Sequence, residues 1–233
     1  MVLSRTPLLA VAIITVLIGL AMFWWFRDAG DRGTAEIYVA LGASDAVGVG
    51  AQRPGRDGWV PLVHAALPGN PRLVNLGVSG ARIGEILTMQ TPVAIDAGPR
   101  WISLWPGVND LRNDVPLEAF RQQLEQTLTA LDQAEDATII LLTIPDLRDL
   151  PVFAAEDREL LNATVQAWNG VIRVASERHG ALLVDLYTGA PELADNPDYV
   201  SADGFHPSSA GYQRIAELVL ATLQQHNAAL VSS

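Results

Sequence analysis

The sequence predicts an α/β protein in which a five-stranded parallel sheet is covered by helices on both faces. Five short segments are apolar almost throughout, and amphipathic stretches with helical spacing separate them. Strands that are apolar on both sides are typical of parallel sheets buried between two helical layers. The alternation of the two patterns therefore predicts one three-layer α/β/α domain.

The strand and helix candidates alternate along the chain from residue 37 onward. The strand candidates are residues 37–41, 72–76, 101–105, 138–144 and 181–187. The helix candidates are residues 59–67, 82–89, 117–131, 158–178 and 208–225. Ligands of such sheets bind beyond the carboxyl ends of the strands. We therefore expect the five loops that follow the strands to open onto one site.

The N-terminal segment Leu8–Phe26 is 19 residues long and carries no charge. As a helix it would span about 28 Å, close to the thickness of the hydrocarbon core of a bilayer. Trp24 and Trp25 at its end suit a membrane interface. We predict that residues 1–35 are a membrane anchor (span 8–26) with a linker, that residues 36–233 are the globular domain, and that this domain is extracytoplasmic. Secretion after cleavage of a signal peptide is the alternative.

The composition excludes several classes of site. The net charge is −11 and all 15 basic residues are Arg, so a nucleic-acid partner is not expected. Without Cys, the chain has no disulfide, thiolate metal site or Cys nucleophile. The four His are scattered and no H-E-x-x-H motif occurs, so we predict neither a metal site nor a cofactor.

Ser44 stands in "GASDAVG", directly after the first predicted strand. A serine becomes a strong nucleophile when a histidine accepts its proton and a carboxylate orients that histidine. In "DGFHP", Asp203 and His206 are spaced so that one turn can bring carboxylate and ring together, although Asp203 could also simply cap a helix. The other histidines, at positions 64, 179 and 226, fit helix-surface, helix-end and tail positions.

Attack on an ester carbonyl produces an oxyanion that fixed hydrogen-bond donors must meet. The backbone N–H of Ser44, the N–H of Gly77 and the side-chain amide of Asn109 are candidates, because each follows a predicted strand. Gly77 and Asn109 could equally be turn residues. Taken singly, each of these positions fits a turn better than it fits an oxyanion donor.

Taken together, these positions resemble the SGNH (GDSL-type) hydrolase family over residues 36–225. The matching residues are Gly42, Ser44 and Gly48; Asn75, Gly77 and Gly80; Gly107, Asn109 and Asp110; and Asp203 and His206. The resemblance implies a flavodoxin-like strand order. It implies Ser44 as nucleophile, His206 as base and Asp203 as its orienting carboxylate. It also implies an oxyanion hole of Ser44, Gly77 and Asn109.

The first block departs from the family at one position. Ala43 stands where the family has Asp before the serine, and Asp45 follows the serine instead. That Asp carries none of the implied catalytic roles. We therefore expect an effect on the rigidity of the loop or on substrate access.

The resemblance implies a serine hydrolase that cleaves carboxylic esters through an acyl-enzyme. Small acyl or lipid-derived esters are the expected substrates, and a carbohydrate O-deacetylase is the alternative. Trp105, Pro106 and residues 145–151 and 188–202 are expected to shape the pocket. A different class, a non-catalytic membrane-tethered binding module, would rest on "VGVGAQRPG". That stretch is neither G-x-G-x-x-G nor a P-loop, and no Lys is present to contact a phosphate.

Overall fold

A five-stranded sheet with the order β2-β1-β3-β4-β5 forms the centre of the domain in a computed structural model of the chain. The structure describes residues 36–189 and 195–232. The strands are β1 (Ile37–Leu41), β2 (Arg72–Asn75), β3 (Trp101–Leu104), β4 (Thr138–Leu142) and β5 (Leu182–Val184). All neighbouring strands pair in parallel. The predicted parallel sheet and its flavodoxin-like order are confirmed.

The helices include long segments that cover the sheet and short turns at the strand ends. They are α1 (Ser44–Val47), α2 (Pro54–Asp57), α3 (Trp59–Ala66), α4 (Ile83–Glu85), a π-helical segment (Ile86–Gln90), α5 (Thr91–Asp96), α6 (Val108–Arg112), α7 (Leu117–Leu131), α8 (Arg158–His179), α9 (Leu186–Gly189) and α10 (Ser209–Ser232). Two 3₁₀ turns lie at Pro151–Phe153 and Pro197–Tyr199.

The two faces of the sheet have separate hydrophobic cores because successive strand residues point to opposite faces. On β1, Val39 and Leu41 pack with α4, α7 and α8, whereas Tyr38 and Ala40 pack with α3 and α10. Phe120 and Trp168 stack in the first core at a centroid distance of 4.5 Å. Trp59 and Trp105 meet edge to face in the second, at 6.2 Å. The predicted three layers are therefore present.

The predicted elements differ from the observed ones mainly at their carboxyl ends. The largest difference is at residues 185–187, predicted as strand: β5 ends at Val184 and α9 begins at Leu186. Asp185 causes this ending, because its carboxylate accepts the backbone N–H groups of Tyr187 and Thr188 and so starts a helical turn. The predicted helix at 82–89 continues through the π-helical segment to Asp96, and α10 extends to Ser232.

The predicted membrane span at residues 8–26 lies outside the described residues. Within the described ranges, no helix combines the length and the apolar character that crossing a bilayer requires.

Candidate active site

Ser44, His206 and Asp203 form one hydrogen-bonded row at the carboxyl end of the sheet. His206 Nε2 lies 2.9 Å from Ser44 Oγ, and His206 Nδ1 lies 2.6 Å from Asp203 Oδ2. A carboxylate can only accept, so Nδ1 carries the proton of the neutral ring and Nε2 is left as the acceptor for the serine hydroxyl. The structure thus brings together three residues that lie up to 162 positions apart in the sequence.

Ser44 lies at this end because β1 stops at Leu41 and the chain turns sharply through Gly42. The φ of Gly42 is +151°, which residues with a Cβ rarely adopt. Ser44 is then the first residue of α1, and only 9% of its surface is exposed. The hydroxyl therefore sits at the tip of a buried strand in the crevice between β1 and β3, where the strand order of such sheets reverses.

Asp45 occupies the N-terminal turn of α1 and contacts the backbone of position 43, where the sequence departs from the family. Its Oδ1 accepts the backbone N–H of Ala43 at 3.2 Å, so the carboxylate after the serine folds back over the turn. Burial raises the pKa of Asp45 to about 6, against the opposing effect of backbone N–H groups and of the nearby His206. The chain therefore keeps a carboxylate beside Ser44, one position later than the family has it.

Asp203 is held by donors on both of its carboxylate oxygens. Oδ1 accepts the Ser201 hydroxyl at 2.8 Å and the backbone N–H groups of Phe205 and His206 at 2.8 and 2.9 Å. Partial burial alone would raise the pKa of Asp203. The hydrogen bonds from the His206 ring, the two backbone N–H groups and Ser201 outweigh it and hold that pKa well below its usual range. Asp203 is therefore ionised wherever His206 could act as a base.

The loop that carries His206 packs closely against the chain after Ser44. Gly50 has φ +95°, and a Cβ there would lie 2.5 Å from the carbonyl oxygen of Pro207 and 2.9 Å from His206 Cβ. Only glycine allows this approach. On the other side, the Phe205 ring contacts the His206 ring edge to face at 4.8 Å, and the Arg112 guanidinium lies 4.4 Å from the Phe205 centroid. Helix α6, which follows β3, thereby braces the loop of the histidine.

Two of the three predicted oxyanion donors are available at the site. The N–H of Ser44 has no hydrogen-bond partner among residues 36–189 and 195–232. Asn109 lies in α6, and its Nδ2 donates to the carbonyl oxygen of Ala81 at 3.0 Å. This bond uses one of the two amide protons and fixes the plane of the amide. The second proton is left for another acceptor.

The third predicted donor, Gly77, is already engaged. Its N–H donates to Asn75 Oδ1 at 3.0 Å, because the Asn75 side chain folds over its own turn. This geometry argues against Gly77 as an oxyanion donor.

Gly80 is the better placed glycine in the same turn. Its φ is +84°, no atom lies within 4 Å of where its Cβ would be, and its N–H has no partner in the described part of the chain. The next residue, Ala81, lines the pocket and accepts the bond from Asn109. Both positions are glycine, so the sequence carries no signal that distinguishes them; the positive φ of Gly80 and the bonded N–H of Gly77 are visible only in the structure.

The pocket around Ser44 and His206 extends along the carboxyl ends of β1, β3, β4 and β5. Its walls are largely apolar and include Val108, Leu147, Leu150, Leu186 and Ile215. Of the predicted pocket segments, Trp105, most of residues 145–150 and Tyr199 with Val200 line it. Pro106 does not. Asp146 is paired within its own loop by Arg148, with distances of 2.5–3.0 Å.

The other histidines lie outside this pocket. His64 contacts the carbonyl oxygen of Pro71 at 2.7 Å. His179 was expected at a helix surface or helix end, and it is the last residue of α8. Its side chain is only 8% exposed, because Nδ1 lies 2.7 Å from Asp132 Oδ2 and Nε2 lies 3.2 Å from Glu125 Oε2. His226 lies in α10 rather than in a tail. All three fit structural positions.

Gln90 is a residue at the site that the sequence did not single out. Its side-chain amide makes two hydrogen bonds of 2.9 Å with the backbone of Gly42, and it is only 4% exposed. A signal was present. Gln90 falls on the buried stripe of its helix, four residues after Ile86 and four before Ala94, where an apolar residue is expected.

Comparison with known proteins leads to the same family as the sequence motifs. The model of the GDSL-like lipase/acylhydrolase family matches residues 40–214. An acetylxylan esterase of Geobacillus stearothermophilus is 24% identical over 175 residues, which are 69% of this chain and 76% of that protein.

Solved structures share the fold at low identity. An α/β hydrolase enzyme from the metagenome of Lake Arreo has a TM-score of 0.64 at 24% identity, covering 82% of this chain and 97% of that one. The psychrotrophic esterase EstA from Pseudoalteromonas sp. has a TM-score of 0.62 at 19% identity, with coverages of 82% and 97%. The family model spans most of the globular domain. The chain therefore belongs to the GDSL-like lipase/acylhydrolase family of ester-hydrolysing enzymes.

Proposed function

We propose that the domain hydrolyses carboxylic esters through an acyl-enzyme, with Ser44 as nucleophile, His206 as general base and acid, and Asp203 as the carboxylate that orients His206. The observation that carries this proposal is the continuous row Asp203–His206–Ser44, with contacts of 2.6 and 2.9 Å. Both distances fall within the reach that proton transfer requires.

In the acylation step, His206 Nε2 takes the proton of Ser44 as Oγ bonds to the ester carbonyl carbon. The carbonyl π electrons move onto oxygen, and the tetrahedral intermediate carries an oxyanion. The protonated ring is stabilised by Asp203, which is ionised and adjacent. His206 then gives its proton to the alcohol oxygen, the C–O bond breaks, and the alcohol leaves an acyl group on Ser44.

In the deacylation step, water takes the place of the alcohol. His206 Nε2 accepts a proton from the water while the water oxygen attacks the acyl carbon. The second tetrahedral intermediate collapses, Ser44 Oγ recovers its proton from His206, and the carboxylic acid leaves. The sum of the two steps is one ester and one water giving one acid and one alcohol.

The oxyanion is proposed to accept from the N–H of Ser44 and from the second amide proton of Asn109. The bond of Asn109 to Ala81 supports this role because it fixes the amide before the charge develops. Gly80, rather than Gly77, is the proposed source of a third N–H, since the Gly77 proton is donated to Asn75.

The test is steady-state hydrolysis of p-nitrophenyl acetate by the full chain, comparing wild type with Ser44→Ala and His206→Ala. We expect each substitution to reduce kcat by about 10⁴-fold or more while thermal unfolding stays close to wild type. Retention of kcat within tenfold by either folded variant would contradict the assignment. A non-catalytic binding module predicts no turnover in any of the three proteins.

The first proposed substrate class is esters with a short or medium apolar acyl or alcohol group, including lipid-derived esters. The aliphatic walls formed by Val108, Leu147, Leu150, Leu186 and Ile215 support it, because each such side chain stabilises bound apolar groups.

The second proposed class is acetylated saccharides. Two observations favour it: the similarity to an acetylxylan esterase, and the presence of Asp149, Tyr187 and Tyr199 on the same pocket. Carboxylates accept hydrogen bonds from sugar hydroxyls, and tyrosine rings combine an apolar face with a polar group.

A chain-length series of p-nitrophenyl esters, from acetate to decanoate, separates the two classes when measured beside acetate release from acetylated xylooligosaccharides. The apolar class predicts that kcat/KM rises beyond acetate and that the saccharides are poor substrates. The saccharide class predicts a maximum at acetate and faster release from the sugar. Val108→Trp, at a half-buried side chain that lines the pocket, should narrow the pocket and shift the chain-length optimum toward shorter acyl groups in the first case only.

We further propose that residues 8–26 anchor the chain in a membrane, with the domain extracytoplasmic. The uncharged 19-residue segment and its terminal tryptophans support this. Extraction of membranes at alkaline pH should leave the chain in the pellet, and protease added outside intact cells or spheroplasts should digest the domain. Release of a shortened chain into the medium would favour cleavage of a signal peptide.

A further inference from the structure

Gln90 contacts the turn that carries Ser44 through both polar groups of its side chain. The N–H of Gly42 donates to Gln90 Oε1 at 2.9 Å, and Gln90 Nε2 donates to the carbonyl oxygen of Gly42, also at 2.9 Å. The amide therefore binds the backbone of Gly42 as a neighbouring strand would. The contact joins residues 48 positions apart.

The contact lies where β1 ends, at a turn whose buried backbone N–H requires a hydrogen-bond acceptor. Gly42 has φ +151°, lies just beyond β1 and precedes Ser44 by two residues. The N–H of Val78 also donates to the carbonyl oxygen of Gly42, at 3.2 Å. Removing the Gln90 amide would thus leave the carbonyl with one partner but leave the buried N–H with none.

The π-helical segment directs Gln90 to this position. Ile86–Gln90 is wound as a π-helix between α4 and α5, and the Thr91 hydroxyl donates to the carbonyl oxygen of Ile86 at 3.0 Å. A single π turn inside an α-helix changes the direction of the residues that follow it, and such turns occur frequently at functional sites. Because Gln90 is only 4% exposed, its amide is committed to Gly42.

We propose that Gln90 is a positioning residue for the nucleophile: it fixes the Gly42 turn so that Ser44 Oγ and the Ser44 N–H keep their geometry toward His206 and the substrate carbonyl. The inference rests on the proposed ester hydrolysis at Ser44. Gln90 does not line the pocket, so it acts through the backbone and not by touching substrate. A displacement of about 1 Å at a reacting group can reduce a rate by about 10²-fold.

The test replaces Gln90 in the full chain and measures p-nitrophenyl acetate hydrolysis together with the second-order rate of Ser44 labelling by a fluorophosphonate. Gln90→Met keeps the shape of the side chain and removes both hydrogen bonds. Gln90→Asn keeps the amide but shortens its reach by one methylene. We expect kcat and the labelling rate to fall about 10–100-fold in each, with KM within about threefold of wild type.

Ser176→Ala is the matched control for a purely structural effect. Ser176 is 3% exposed, and its hydroxyl donates to the carbonyl oxygen of Ala181 at 2.8 Å, at the opposite end of the sheet. Ser176→Ala should lower the melting temperature about as much as the Gln90 substitutions do, and it should leave kcat and the labelling rate close to wild type. A Gln90→Met or Gln90→Asn variant with kcat and labelling within about twofold of wild type would overturn the proposal, as would an equal loss in Ser176→Ala.

Ser44→Ala in the same series tests the proposed function separately from the role of Gln90. If it remains active, the proposed function fails. If it is inactive while both Gln90 variants retain full labelling and kcat, the proposed function stands and the role of Gln90 is refuted. Should Gln90→Met not fold, Gln90→Asn decides the outcome.

Discussion

The most informative single substitution at the site is Asp203→Asn, because the surroundings of Asp203 dictate how an amide would be oriented. Three donors, the Ser201 hydroxyl and the N–H groups of Phe205 and His206, converge on Oδ1 at 2.8–2.9 Å. An asparagine must therefore keep its oxygen at that position. Its NH₂ group then takes the place of Oδ2, which lies 2.6 Å from His206 Nδ1.

An NH₂ group facing Nδ1 inverts the tautomer of the histidine. Nδ1 must become the acceptor, so the proton of the neutral ring moves to Nε2, which faces Ser44 Oγ at 2.9 Å. A ring protonated at Nε2 cannot accept the serine proton. The same exchange of carboxylate for amide in serine proteases lowers kcat about 10⁴-fold, which corresponds to about 5.5 kcal/mol of transition-state stabilisation. We expect a loss of about 10³–10⁴-fold here, with KM nearly unchanged.

The assay is hydrolysis of p-nitrophenyl acetate under saturating conditions, with thermal unfolding measured in parallel. Asp198→Asn is the control, because Asp198 is an exposed residue of the same loop whose backbone carbonyl, not its side chain, accepts the bond from Ser208. That variant should match wild type. If Asp203→Asn keeps kcat within about tenfold of wild type while remaining folded, the tautomer argument is refuted.

Three further outcomes follow from the same geometry. Asn109→Ala should lower kcat by about 10²–10³-fold if its amide meets the oxyanion, and an unchanged kcat would remove it from that role. The free energy of unfolding of Asp45→Asn should exceed that of wild type by about 1–3 kcal/mol at pH 8 but not at pH 4. The Asp45 carboxyl has a pKa of about 6 in the folded state and about 4 in the unfolded state, so the wild type loses stability as the pH rises from about 4 to 6. Equal denaturation midpoints at both pH values would contradict this. Asn169→Leu should cost about 1–3 kcal/mol in urea unfolding, because its amide satisfies both backbone groups of Ile144 at 2.8 Å, and a neutral effect would show that water replaces it.

The strands and the long helices α7, α8 and α10 could be predicted because their signals are local or periodic, whereas the strand order followed from the family resemblance. The IYVAL segment, residues 37–41, and helix 117–131 coincide with the observed β1 and α7. Strand ends were less predictable. At residues 185–187 the apolar pattern continues, but the carboxylate of Asp185 captures two backbone N–H groups and ends the strand.

The row of Ser44, His206 and Asp203 could be predicted from the family resemblance and because all five strands run in parallel, which places the loops after β1 and β5 at the same end of the sheet. The oxyanion donors were less accessible to sequence, since they depend on which N–H is already bonded. Gly77 and Gly80 are both glycines of one short turn, and only the position of the Asn75 side chain distinguishes them. Gln90 was not recognised because the predicted helix ended at residue 89, so that its place between Ile86 and Ala94 on the buried stripe was not considered.

Covalent trapping shows whether His206 activates Ser44. The full chain is incubated with a fluorophosphonate, digested and mapped by mass spectrometry, beside Ser44→Ala and His206→Ala. We expect one phosphonylated residue, Ser44, no label in Ser44→Ala, and labelling slowed by at least about 10³-fold in His206→Ala. Label on a different residue, or labelling of Ser44 at an unchanged rate without His206, would contradict it.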